Sequence, residues 1–170
     1  MNEETTIPDI IATPESFDAD AAFWLRAAQS AIRRECGWHV MPNAALSGVV
    51  NSRGGRVIRL PARHITSVDS LTDSSGVPLA YAYDPETGLV EAAGQPFPVG
   101  VAAIRYEIHA GHDDCPDVQG VLINAAKRAS MAASGVVKSQ SVNGSSVTYN
   151  VQLMANELAK LRPYKLGVLP

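Results

Sequence analysis

Between Pro116 and Ser134 the apolar residues Val118, Val121, Leu122, Ala125, Ala126, Ala129 and Ala133 return every three or four positions, the spacing of one helical stripe. Asp114 or Cys115 can cap the start, Pro116 suits a first turn that needs no amide hydrogen, and Asp117 favours the positive end of the helix dipole. Gly135 can take the left-handed conformation that ends many helices, so the pattern predicts a helix over 116–134. The stripe is mostly alanine and buries little area alone, so it needs neighbours from its own chain or from other copies. Val121, Leu122, Ala125 and Ala129 are the positions of this stripe that would meet such a neighbour, and intersubunit packing is the use expected of them if the neighbour is another copy.

An earlier helix, 20–36, follows from Ala21, Leu25, Ala28, Ile32 and Cys36 on one face, with Arg26, Arg33 and Arg34 outside and Gly37 closing it. Phe23, Trp24 and Trp38 add aromatic bulk suited to packing. A third helix, 151–162, places Leu153, Met154, Leu158 and Leu161 on one side, with Glu157 and Lys160 outside, and stops at Pro163.

Between the first two helices the period changes to two. Pro42 to Ser52 reads as a connector that starts a strand near Gly48, after which Arg56–Leu60, Ile65–Leu71, Leu79–Tyr83, Leu89–Ala92 and Val101–His109 are strand candidates joined by tight turns. The expected fold is therefore α+β: a small helical bundle with an antiparallel β-meander inserted over 48–109 between the first and second long helices. A flexible N-terminal arm (1–17), a polar loop (135–149) and an apolar C-terminal tail (164–170) complete a single domain over 18–163.

Composition narrows the classes. At 170 residues, 46% hydrophobic and 18% charged, the chain is globular in character and of one-domain size. The net charge is −3, but six of the 17 acids (Glu3, Glu4, Asp9, Glu15, Asp18, Asp20) lie in the first twenty residues, ahead of every basic residue. A weakly basic body behind an acidic arm is not a nucleic-acid signature. Cys36 and Cys115 do not suggest a disulfide framework, and no run of about eighteen apolar residues suggests a membrane span.

Candidate chemistry is sparse. His109, His112 and Cys115 are spaced by three, with Asp113 and Asp114 among them, yet the spacing is not a zinc-finger pattern unless Cys36 and His39 also contribute. No metal or other cofactor is expected. Arg53, Arg56, Arg59 and Arg63 form the densest basic run and suggest, as the alternative function, a nucleic-acid-binding module. Aromatic interleaving is missing and the four do not share a strand face, so a solvated or intersubunit role fits them better. With no nucleophile elbow, phosphate loop or metalloprotease motif, the chain is not expected to be an enzyme.

Four stretches carry a family likeness. Ala28–Trp38 ends in Cys36-Gly37-Trp38; Leu60–Val68 opens the inserted sheet; Tyr106 through Gly111 runs on to Pro116 and Asp117; and Ser139–Tyr149 precedes the last helix. Together they resemble the head-to-tail connector (adaptor) proteins of long-tailed bacteriophages, especially those infecting actinobacteria. Gln140, where relatives often carry an acid, and the acidic arm depart from the pattern.

The resemblance implies a non-enzymatic virion protein of the neck, assembled in the host cytoplasm as a ring of about twelve identical subunits beneath the portal protein. Double-stranded DNA would pass through the ring without being read, and a stopper or tail-completion protein would follow below. It also implies portal docking by Tyr164, Lys165, Leu166, Val168 and Leu169. Lys138, Ser139, Gln140, Asn143, Gly144 and Tyr149 would lie on a loop facing the tail or the lumen.

Overall fold

The computed structural model describes residues 21–136 and 151–167, with backbone alone at 132–136. The N-terminal arm, Lys138, Ser139, Gln140, Asn143, Gly144 and Tyr149 of the polar loop, and Val168 and Leu169 of the tail lie outside the described residues. The class is α+β, with an antiparallel strand-rich insertion between two long helices. The described residues divide into two compact units, one built of strands (37–114 and 164–167) and one of helices (21–36, 115–136 and 151–163).

In the helical unit, α1 (Ala21–Cys36) buries Trp24, Leu25, Ala28, Ile32 and Cys36, residues three and four apart on one stripe. Helix α2 (Pro116–Val136) buries Val118, Val121, Leu122, Ala125 and Ala126 and packs against both α1 and α3 (Ala155–Leu161). It does not stop at Gly135 but continues through it to Val136. Helix α3 is shorter than the sequence pattern suggests. Val151–Met154 is not helical, because the Glu157 carboxylate reaches back to accept from the Met154 N–H at 2.8 Å and fixes the first turn one residue later. The chain then tightens into a 3-10 turn at Arg162–Tyr164 that includes Pro163.

The strand unit holds six strands in two antiparallel sheets: β1 (Ala44–Arg53), β2 (Val57–Arg59), β3 (Ile65–Asp73), β4 (Tyr81–Tyr83), β5 (Leu89–Ala92) and β6 (Val99–Ala110). Their order differs from a sequential meander. One sheet runs β1-β6-β3 and the other β2-β5-β4, so the last strand of the insertion lies at the centre of the larger sheet. On β6 the buried Ile104, Tyr106, Ile108 and Ala110 alternate with the exposed Arg105, Glu107 and His109. Fully burying Ile104 and Ile108 contributes roughly 1.5–3 kcal/mol each. β1 begins four residues before the expected Gly48, because pairing with β6 extends from Ala44↔Ala110 onward.

Two glycines fix the turns of this unit. A Cβ on Gly88 (φ +71) would collide with the Ala62 carbonyl oxygen, and one on Gly111 (φ +116) with that of Pro42. Gly111 also places His112 beside the chain that follows α1, where the His112 N–H donates to the Val40 carbonyl at 2.9 Å.

Candidate functional site

The C-terminal segment provides the most specific contact in the strand unit. After Pro163 the chain lies along a seat made by residues from four parts of the sequence: Trp38, the pair Arg63 and His64, Glu86, and His112. The Trp38 Nε1–H donates to the Tyr164 carbonyl at 2.6 Å, and Arg63 Nη1–H donates to the Lys165 carbonyl at 3.0 Å. The Tyr164 and His112 rings are perpendicular, with 5.6 Å between centroids. The position a Cβ of Gly37 would take lies 3.5 Å from the Leu166 Cβ, and that of Gly167 lies 3.6 Å from the Arg59 guanidinium. The segment is held largely through main-chain carbonyls.

The seat is itself held by contacts among its own residues. His64 has a positive φ of 49° and its carbonyl accepts from the Gly111 N–H at 3.1 Å. The His64 imidazole stacks on that of His112, with centroids 4.2 Å apart and planes 15° from parallel. His64 Nδ1 faces Glu86 Oε1 at 3.4 Å, while Arg63 Nε–H donates to the Glu86 carbonyl at 2.9 Å. Burial pushes the His112 pKa below the ordinary 6.5, and the neighbouring His64 and Arg63 push the same way against the weaker pull of Glu86 and Asp113.

Tyr164, Lys165 and Leu166, expected from the family resemblance to meet a portal, are thus half-buried against their own chain. The arginine run is also spoken for. Arg56 donates to the Ala92 carbonyl at 3.3 Å and Arg59 to that of Thr87 at 2.7 Å, alongside the two carbonyl contacts of Arg63. Three of the four guanidinium groups therefore stitch turns and strands of one unit together, a use that spacing along the sequence does not reveal. Arg53, at the end of β1, is exposed.

The histidine and cysteine spacing does not assemble a metal centre. Among the described residues no group of three or more His, Cys, Asp or Glu side chains could hold a metal ion. His109 faces Asp69 across the sheet at 3.4 Å, His112 stacks on His64, and Cys115 is buried at the start of α2.

In the helical unit, of the stripe positions Val121, Leu122, Ala125 and Ala129, the first three are each 1% exposed. Of that set only Ala129 stays partly exposed. It lines an open groove of about 470 Å³ with Ala125, Arg128, Gln152, Leu153, Met154 and Ala155. Glu157, expected on the outer face, is instead buried. Its two carboxylate oxygens accept from Arg128 Nη1–H and Nη2–H at 2.9 and 2.7 Å, and Arg128 also donates to the Gln152 carbonyl. Burial alone would raise the Glu157 pKa, but the Arg128 and Met154 hydrogen bonds outweigh it and hold the carboxyl below its ordinary 4.5. One signal could have revealed this: with the helix starting at Ala155, Glu157 occupies the third helical position, where acids cap.

With this geometry in view, known proteins add one likeness. No protein-family model and no curated protein matches the sequence. Among solved structures, the chain is similar to one in the neck of the native gene transfer agent (GTA) particle computed with C12 symmetry. The TM-score is 0.53 at 17% identity, over 92% of this chain and 87% of that one. The two share a fold. Chains from the neck of the empty particle computed with C6 symmetry and from the native virion match at TM-scores of 0.48, with 18% and 20% identity. They cover 94% and 99% of this chain, and 83% and 96% of their own lengths.

The shared fold spans both units, so neither the strand insertion nor the helices is an addition peculiar to this chain.

Proposed function

We propose that this chain is a structural protein of the virion neck, a head-to-tail connector that forms a ring under the portal and extends the DNA channel. The observation that carries the proposal is the shared fold with a chain of the GTA neck, matched over 92% of the residues here. The four sequence stretches that resemble phage connectors point the same way. The C12 symmetry of that neck favours a twelve-fold ring. The function is mechanical, and no side chain is assigned a catalytic role.

In such a ring, residues 164–170 dock on the portal and the loop containing Lys138–Tyr149 meets the stopper or tail-completion protein. Since Tyr164–Leu166 lie on their own strand unit, portal docking uses either the segment in its seat or the segment after release. Subunit packing relies on surfaces other than Val121, Leu122 and Ala125, which are filled from within.

Light scattering of the purified chain, alone and mixed with the portal from the same particle, tests the proposal. A ring, or a monomer converted to a ring by the portal, is expected. A monomer indifferent to the portal at micromolar concentrations overturns it, and duplex binding that falls steeply with salt would then favour a nucleic-acid-binding module.

A further inference from the structure

The seat of the C-terminal segment has a feature that holding a peptide does not require. Tyr164–Gly167 is fastened by an indole N–H, a guanidinium and a perpendicular ring contact, yet the ring that meets Tyr164, His112, is one of a pair of stacked imidazoles. Two neutral imidazoles stack favourably face to face. Two imidazolium rings with centroids 4.2 Å apart repel, and the repulsion is strong because the site is partly shielded from water.

We propose that the His64–His112 stack is a proton-operated latch that holds the C-terminal segment on the strand unit when both rings are neutral and releases it when both are charged. The groups around the stack set the direction. From the stretch after α1 come Trp38, with its ring 6.1 Å from His112, and His39, whose Nε2 is engaged with the carbonyls of Ala110 and Pro42. The turn before β3 brings Arg63, a fixed cation, and the turn between β4 and β5 brings Glu86, which faces His64. Asp113 follows His112 directly, and Tyr164 and Lys165 come from the segment itself.

A charge on His64 meets Glu86 at 3.4 Å, whereas a charge on His112 meets His64 at stacking distance with Arg63 nearby. The lowered pKa of His112 agrees with this geometry, because a seat that disfavours its proton must loosen when the proton binds. The sign follows directly. The latch is closed above the ordinary histidine value of 6.5 and opens as pH falls below it toward the depressed value of the seated state.

Solvent exchange of the Trp38 Nε1–H, which is bonded to the Tyr164 carbonyl at 2.6 Å, followed by NMR of the full chain at pH 8 and pH 5 and corrected for intrinsic exchange, reads the latch. Protection is expected to fall severalfold at pH 5, because the seated state binds the His112 proton less readily than the released one. In a Trp24→Phe background, Trp38 emission should shift in the same pH range as its indole loses the Tyr164 carbonyl. His112→Gln should flatten both responses, His64→Gln should shrink them, and His109→Gln, on the sheet beside Asp69, should leave them as in the wild type.

Far-UV circular dichroism checks that each variant is folded. If His112→Gln is not, His64→Gln alone decides. Equal protection at pH 8 and pH 5 in the wild type overturns the latch, and so does a full acid response in His64→Gln. None of these readouts involves a portal, so failure of the latch leaves the connector proposal standing, and the reverse also holds.

Discussion

Replacing Glu157 with alanine removes three hydrogen bonds at once, two from Arg128 and one from the Met154 N–H. The capping bond alone is worth about 1 kcal/mol. Removing one partner of a fully buried ion pair costs about 3–5 kcal/mol, but Arg128 is 33% exposed and keeps the Gln152 carbonyl, so it recovers part of its hydration. Halving that cost gives about 2 kcal/mol, and the expected total for Glu157→Ala is about 3 kcal/mol. Arg128→Ala should cost a similar amount, because Glu157, only 6% exposed, is left with the Met154 N–H as the remaining partner of these three. In the double variant the pair energy is lost once, so the cycle should return a coupling of about 2 kcal/mol. Urea unfolding followed by circular dichroism at pH 7, with unchanged slope, measures all four corners. A loss below about 1 kcal/mol for Glu157→Ala, or additivity within about 0.5 kcal/mol, would refute the argument that this pair locks α3 onto α2.

The same carboxyl makes stability depend on pH. Because its folded pKa lies below 4.5, its contribution is complete above that value and is lost as pH falls through the folded one, so wild-type and Glu157→Gln unfolding curves should converge in acid. Glycine substitutions should separate crowding from backbone strain in thermal melts. Gly88→Ala and Gly111→Ala, each facing a carbonyl oxygen, should lose more than about 3 kcal/mol, while Gly76→Ala, with φ +84 and open space, should lose about 1–2 kcal/mol. Gly120→Ala, inside α2 with open space around the new methyl, should gain about 0.5–1 kcal/mol. Deleting residues 164–170 should abolish attachment to portal-bearing heads in a binding assay, and normal attachment would count against docking by the tail.

What could be read from the sequence follows the range of the forces involved. The stripe of α2, the alternation of β6 and the limits of β5 are local patterns, and they were legible. The first half of β1, Ala44–Gly48, was not, because alanine and glycine are poor strand formers and these residues become a strand by pairing with β6 some sixty positions away. The division into two sheets depends on the same kind of distant pairing. The apolar character of the C-terminal tail was visible and its seat was not, since the Trp38 and Tyr164 that meet there are separated by 126 positions. Glu157 escapes the local pattern for a smaller reason: with the helix starting at Ala155 rather than near Val151, the acid stands at the third helical position and serves as a buried cap.

The strand order also bears on how the chain is made. A ribosome delivers β1 and β3 long before β6, the strand that joins them, so both leave the exit tunnel with pairing edges that nothing can yet satisfy. The helical unit has the same delay, because α1 must wait for α2 at Pro116 before its apolar stripe is covered. Neither unit can be finished early, and a nascent chain halted before Val99 would hold two bare strand edges and one uncovered helix at once. The interval in which these strand edges stand open falls within synthesis, before the residues from Val99 onward have been made.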